Sequence, residues 1–301
     1  MDYKGIVLNE EIKIEELLTV HYFEYASDFF FPGEAHNFWE FLYVDKGEVE
    51  VTADTTVRLI KKGEIIFHKP MEFHNLWANG TIAPNLVVVA FSCNSPAMSY
   101  FEDKILRAGD RERNIMATLV QEAKAAFSSP LDDPNLRFME RRAKVPFGTE
   151  QFIKLHLELM LLQLALEGQA GSEKQKHLPS SSMRERSEQD VCNKVVAYLE
   201  NNLYKRITLD DVCRDNIIGR SYLQKMFHDK SGCGVMEYFG KLKIEAAKQA
   251  IRQNSNNFTE ISQQLGYSSI HYFSRHFKKV TGMTPSEYSS SVKLRSEIIR
   301  P

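Results

Sequence analysis

A chain of 301 residues with 43% hydrophobic and 26% charged residues has the composition of a soluble globular protein, and its length points to two domains rather than one core. The formal net charge of -2 is unevenly spread: from Ser187 onward there are 17 Lys and Arg against 12 Asp and Glu, whereas the remainder has 21 against 28. A basic C-terminal third on an acidic body implies that one end meets a polyanion.

The opening "MDYKGIVLNEEIKIEELL" has no apolar core followed by a small-residue cleavage site, so nothing in it directs export and a cytoplasmic location is expected. Residues 36 to 92 alternate short β-prone runs ("FWEFLYV", "DKGEVEV", "VRLI", "NLVVVAFS") with turns at Gly47, Gly63, Pro70 and Gly80. This is the pattern of an antiparallel all-β sandwich or barrel. Ile115, Met116, Leu119, Val120, Ala123 and Phe127 then recur at helical spacing, and "QFIKLHLELMLLQLALEG" is apolar on most sides. A helix of that kind is buried on more than one side, and a homodimer contact is the preferred expectation. Its run from Leu155 to Leu166 is shorter than the ~20 apolar residues a membrane span needs, so no membrane partner is expected. The stretch 168–187 is polar and Ser-rich and reads as a linker. Cys93, Cys192, Cys213 and Cys233 form no CxxC pair and lack His at finger-like spacing, which favours reduced thiols over zinc.

The C-terminal third contains an internal repeat. "LQKMFHDKSGCGVMEY" (223–238) lies over "FSRHFKKVTGMTPSEY" (273–288) at an offset of 50. Upstream the offset becomes 49, pairing Thr208 and Asp211 with Asn257 and Glu260, each with capping-box spacing. Each copy predicts a short helix ending near Asn216 or Gly266, then a second from Gly219 or Ser268 that Gly232 or Gly282 stops. Between the copies, "VMEYFGKLKIEAAKQAIRQ" predicts a longer amphipathic helix with Phe239, Leu242, Ala246, Ala247, Ala250 and Ile251 on its apolar side. A short helix, a tight turn and a second helix with a basic exposed side is a helix-turn-helix, here twice, at about 207–232 and 257–282.

Ile207 to Tyr288, and above all "ISQQLGYSSIHYFSRHFKKVTGMTPSEY", resembles the DNA-binding domain of AraC/XylS-type bacterial transcription regulators. The first copy departs from the pattern with Ile217 in the turn, Gly219 at the cap and Lys243 where Arg is usual. Spacing turns Ile270, Phe273 and Phe277 toward the core with Ile261 and Leu265. The resemblance implies groove-facing roles for Ser221, Gln224 and Lys225 in the first copy and for His271, Tyr272 and Arg275 in the second. Arg275 suits guanine and Gln224 adenine, while Lys241, Lys278 and Lys279 suit phosphates. His276 is left to packing.

In "HNFWEFLYVDKG", strand alternation puts His36, Phe38, Glu40, Leu42 and Val44 on one face. His36, Glu40 and Gly47, followed by Gly63, Pro70 and His74, resemble the two motifs of cupin barrels, and a cupin-like sensor is the usual N-terminal partner in this regulator family. Glu34 stands where a metal cupin has its first His, and Glu72 replaces a Gly. His36, Glu40 and His74 can still form a facial ligand set for Fe, Mn, Ni or Zn. A metal-free pocket for an organic ligand is the preferred expectation, with no cofactor, lined by His36, Trp39, Glu40, Tyr43, His74 and Trp77.

The expected architecture is two-domain α+β. A cupin-like antiparallel β-barrel (1–100) and dimerisation helices (101–167) are followed by the linker (168–187) and an all-α domain with two helix-turn-helix units (188–301). The implied function is a transcription regulator, not an enzyme, whose barrel senses a sugar or related metabolite and modulates promoter binding. Its partners would be double-stranded DNA, the effector, a second copy and RNA polymerase. The alternative is a metal-dependent cupin enzyme with a DNA-binding tail.

Overall fold

Nine strands, all antiparallel, form among the described residues of the N-terminal half: β1 (Glu16–Glu24), β2 (Phe30–Glu34), β3 (Trp39–Lys46), β4 (Glu48–Ala53), β5 (Thr56–Lys61), β6 (Glu64–His68), β7 (His74–Trp77), β8 (Asn85–Ser92) and β9 (Ile105–Arg107). The computed structural model describes residues 3–169, 183–253 and 256–298. It divides into two compact units on either side of Gln175/Lys176.

The strands make two sheets, a five-stranded one in the order β1-β8-β3-β6-β9 and a four-stranded one in the order β2-β7-β4-β5. The expectation of a closed barrel is corrected to two separate sheets. The chain leaves the first sheet at Gly47 and returns to it after β5, so β3 and β4 are consecutive but unpaired, as are β5 and β6. Between the sheets lies a core of Phe23, Leu42, Val44, Val51, Ile66 and Val88.

The other face of the five-stranded sheet is also covered. Helices α1 (Asp110–Ala126) and α2 (Thr149–Gln169) pack there, joining Trp39, Phe41, Tyr43, Phe67, Val89 and Phe91 to Met116, Leu119, Leu157 and Leu161. A strand buried on both faces needs apolar residues at every position, which is why β8 reads "NLVVVAFS" without alternation. The helix expected to meet a partner therefore covers its own sheet with Ile153, Leu157, Met160, Leu161 and Leu164. It also leaves Phe152, Leu155, Leu159 and Leu166 exposed.

The C-terminal unit contains seven helices among its described residues: α3 (Met183–Asn201), α4 (Leu209–Asn216), α5 (Arg220–Ser231), α6 (Val235–Gln253), α7 (Phe258–Gln264), α8 (Ile270–Thr281) and α9 (Pro285–Ile298). Helix occupies both ends of the stretch expected as a linker, since α2 reaches Gln169 and α3 starts at Met183; residues 170–182 lie outside the described residues. Val195, Leu199, Val212, Leu223, Phe227 and Phe239 form the first core of this unit. Ile261, Leu265, Phe273, Phe277 and Tyr288 are buried in its second half. The apolar side of α6 departs from its expected composition. Leu242, Ala246 and Ala250 are only half-buried, whereas Lys243 and Arg252 are buried, each with its cationic end on an oxygen atom. A long cationic stem packs like an aliphatic chain when its head finds acceptors.

Candidate nucleic-acid interface and effector site

The second helix-turn-helix is assembled as its sequence implies. Asn257 and Glu260 cap α7 reciprocally, Gly266 takes φ +70° in the turn, and Ser269 Oγ accepts from the Tyr272 amide to start α8. Phe273 and Phe277 are fully buried, which leaves His271, Tyr272, Arg275, Lys278 and Lys279 exposed on α8. Ile270, expected in the core, is only half-buried. His276 packs, with Nδ1 2.8 Å from the Tyr267 hydroxyl. Its ring lies so close to α6 that a Cβ at Gly240 would stand 2.8 Å from Cε1. Burial, then the charge of Lys279, pulls the His276 pKa down.

The first unit has the same plan with weaker fittings. Thr208 and Asp211 form the cap of α4, and Leu223, Met226 and Phe227 are buried while Ser221, Gln224 and Lys225 are exposed. Its turn residue, Ile217, is left-handed at φ 57° and 92% exposed. Such a conformation is uncommon for a β-branched residue. Gly219 begins α5 with no side-chain cap, and Arg220 pairs with Asp210 at 3.1 Å. Lys241, expected on phosphate, is exposed but paired with Glu237 at 2.9 Å, so a phosphate contact would replace that ion pair.

Two cations tie the units together. Lys243 Nζ donates to the carbonyl oxygens of Lys205 (2.9 Å) and Leu265, and Arg206 donates to those of Gly266 (2.9 Å) and Tyr267 (3.0 Å). Three of these acceptors follow directly on α7, where carbonyls lose their helical partners and attract positive charge. Burial, then Arg206, lowers the Lys243 pKa to about 8. Beside the clamp lies a groove of about 870 Å³ lined by Arg206, Tyr267, Tyr272, Arg275, His276 and Lys279.

In the N-terminal unit, polar side chains gather at one end of the two sheets. Gly33, at φ +104°, approaches β7 so closely that a Cβ would stand 2.7 Å from the His74 oxygen, and the local register shift sets Glu34 opposite His74. Glu40 reaches in from β3 of the other sheet, and His36 from the segment between β2 and β3. Burial opposes ionisation of Glu40, but the facing His36 and His74 outweigh it and hold the carboxyl below the ordinary range. His74 is buried too, yet Glu40 raises its pKa. Next to it, His68 stacks on His74 with ring centres 4.2 Å apart and contacts Glu72 at 2.8 Å; burial lowers its pKa. Burial likewise lowers that of His21, which the charge of Glu40 opposes.

Of the six expected pocket residues, His36, Glu40 and His74 come together and the three aromatics do not. Trp39 and Tyr43 flank Glu40 at odd spacing on β3 and pack on the helix-covered face. Trp77 is three residues from His74 on β7, so the period of two turns it to the opposite face, beside Glu50 of β4.

Residues 17–87 match the AraC-like ligand binding domain and residues 212–291 a helix-turn-helix domain. The chain belongs to the AraC family. The raffinose operon regulatory protein RafR of Pediococcus pentosaceus is 32% identical over 100 residues, 33% of this chain and 36% of that protein. The lactose operon transcription activator of Staphylococcus xylosus is 34% identical over 93 residues, 31% of this chain and 33% of that one. The chain thus spans about a third of the length of these curated relatives. A solved C-terminal domain of AraT, a response regulator from Geobacillus stearothermophilus, is 24% identical, with 34% of this chain and 84% of that one covered at a TM-score of 0.33.

For this AraC-family chain, sequence reasoning missed Arg206, His68 and His21, and singled out Glu72 only as a departure from the cupin motif. Lys243 was singled out only as a departure. Nothing local marks Arg206 or Lys243, because their acceptors are backbone oxygens up to 61 residues away. Glu34, His36, Glu40 and His74 were visible as residue types, but their convergence depends on which strands pair.

Proposed function

We propose that this AraC-family chain is an effector-responsive transcription regulator: the N-terminal unit binds a small molecule, and the C-terminal unit reads promoter DNA through α5 and α8. The observation that carries the reading is the pair of reader helices on either side of α6, each burying its phenylalanines (Phe227; Phe273 and Phe277) and exposing polar and cationic side chains. On this reading Ser221, Gln224, Lys225, His271, Tyr272 and Arg275 meet base edges, while Lys241, Lys278 and Lys279 meet phosphates. Two readers on one chain call for a long site spanning successive major grooves, about 34 Å apart.

The raffinose and lactose operon regulators among the relatives support a sugar or related metabolite as effector. These relatives are regulators, which disfavours the enzyme alternative. Among the described residues no helix is long and apolar enough to cross a membrane. The exposed apolar stripe Phe152, Leu155, Leu159 and Leu166 supports a homodimer through α2. An effector with different affinity for two states of that dimer would shift promoter binding.

The test is selection of binding sites from random duplexes, followed by Arg275→Ala on the enriched sequence. Enrichment of a long site with preference lost at one position is expected. If no sequence is enriched, or the variant keeps full preference, α8 is not the reader.

A further inference from the structure

His36 Nδ1 lies 3.0 Å from the Phe38 carbonyl oxygen, and His74 Nδ1 lies 3.2 Å from that of Glu72. A carbonyl oxygen only accepts, so each Nδ1 carries the ring proton and each Nε2 of the neutral imidazole presents a lone pair. Both Nε2 atoms are buried without a hydrogen-bond partner, and His74 as a whole is only 2% exposed. They face the two oxygens of Glu40 at 3.7 and 3.4 Å, and an ionised carboxylate also offers only lone pairs. Glu34 brings a second carboxylate, and one donor atom from each of the four residues lies within 4.8 Å of all the others. With both rings neutral, these converging acceptors are costly to bury unless a metal ion or an added proton stands between them.

We infer that Glu34, His36, Glu40 and His74 form a binding site for one divalent first-row metal ion. Donors about 2.1 Å from a tetrahedral metal stand ~3.4 Å from one another, in line with the two imidazole–carboxylate separations. Two imidazoles and two carboxylates suit Zn, Mn, Fe or Ni, whereas Ca and Mg prefer oxygen alone. The surroundings are those of a ligating shell. Backbone carbonyls fix both ring tautomers, the His68 ring stacks on His74, Glu72 holds His68 at 2.8 Å, and Arg137 orients Glu34 at 3.2 Å. Glu72 thus acts twice, through its backbone on His74 and through its carboxylate on His68. The inference replaces the metal-free pocket expected from sequence. Its regulatory meaning rests on the sensor reading above, while the binding itself does not.

The full chain, stripped with chelator and dialysed free of it, is titrated calorimetrically with Zn, Mn and Ni salts and, by visible absorption, with Co. One ion per chain is expected. Glu40→Gln should weaken binding at least 100-fold, and Glu34→Gln, at the solvent edge where folding is safe, by about 10- to 100-fold. Thermal melts of both variants without metal establish that they fold. Failure of the wild type to bind any of the four ions in the micromolar range overturns the site, as does equal binding by both folded variants, which would place the ion elsewhere. Imidazolium signals for His36 or His74 at neutral pH in stripped protein that takes up no metal overturn it in favour of a proton. Effector binding by the stripped protein without metal uptake leaves the sensor reading standing and removes the metal. One-to-one metal binding with no change in affinity for the selected duplex, with or without added sugars, does the reverse.

Discussion

The two helix-turn-helix units have the same reciprocal cap on their first helix, the same core phenylalanine (Phe227 and Phe277) and the same glycine stop, yet they differ where each chain reverses. The second unit turns on Gly266 and starts its reader with a serine cap; the first turns on a left-handed Ile217 and starts with an uncapped Gly219. Gly266 is also where the Arg206 and Lys243 clamp closes, whereas Ile217 points into solvent. Asp229 occupies, at the repeat offset, the place of Lys279, so on the proposed reading the first unit would offer phosphates a weaker field. A duplicated motif can thus keep its core and let one turn drift, because the core of each unit is closed by its own helices.

The largest effect is expected from giving the second unit the turn of the first. Gly266→Ile places a β-branched residue in a left-handed conformation against Arg206 Cγ and Lys243 Nζ, both within 3.4 Å of a Cβ. It should cost more than about 2 kcal/mol in chemical denaturation. Arg275→Ala should remove about 1 to 3 kcal/mol of discrimination at one base pair by fluorescence anisotropy, and Lys225→Ala at the equivalent position less. Equal losses would mean that the readers contribute alike. The reverse exchange, Ile217→Gly, should raise stability by roughly 0.5 to 1 kcal/mol, since the strain disappears and little burial is lost. The smallest effect is expected from pH. His276 has a lowered pKa in the fold, so the unfolded chain takes up a proton first. Stability is then lost as pH falls through about 6.5, and the loss is complete below the folded value. Met226 holds the equivalent place in the first unit, so exchange protection should fall on acidification in α8 and not in α5.

Local chemistry explains what could be read in the sequence. The caps at Thr208 and Asn257, the stops at Gly232 and Gly282 and the alternation of Glu40 with its neighbours all act over a few residues, and the structure bears them out. A sandwich of two sheets was one of the two readings the short runs allowed, but which strands share a sheet was not legible, because it depends on β3 choosing β6 and β8 over the adjacent β4. That choice also decides the faces of Trp39 and Tyr43. An aromatic beside a pocket residue looks like a pocket residue until the second face of the sheet is known to be covered. Lys243 fell outside the expected apolar side of α6 because a lysine is read as solvated, and its two acceptors are supplied by distant backbone.

The 19 residues of α6 have one further consequence. At about 1.5 Å per residue the helix is about 28 Å long, and each residue advances it by about 100°. One inserted residue would swing α8 around the α6 axis by more than a quarter turn relative to α5, whereas seven would restore its bearing and add about 10 Å of reach. The spacer between the readers is therefore a quantity with both length and phase. On the promoter-reading proposal, a change in the length of this spacer changes both how far apart and in which direction the two helices present their side chains.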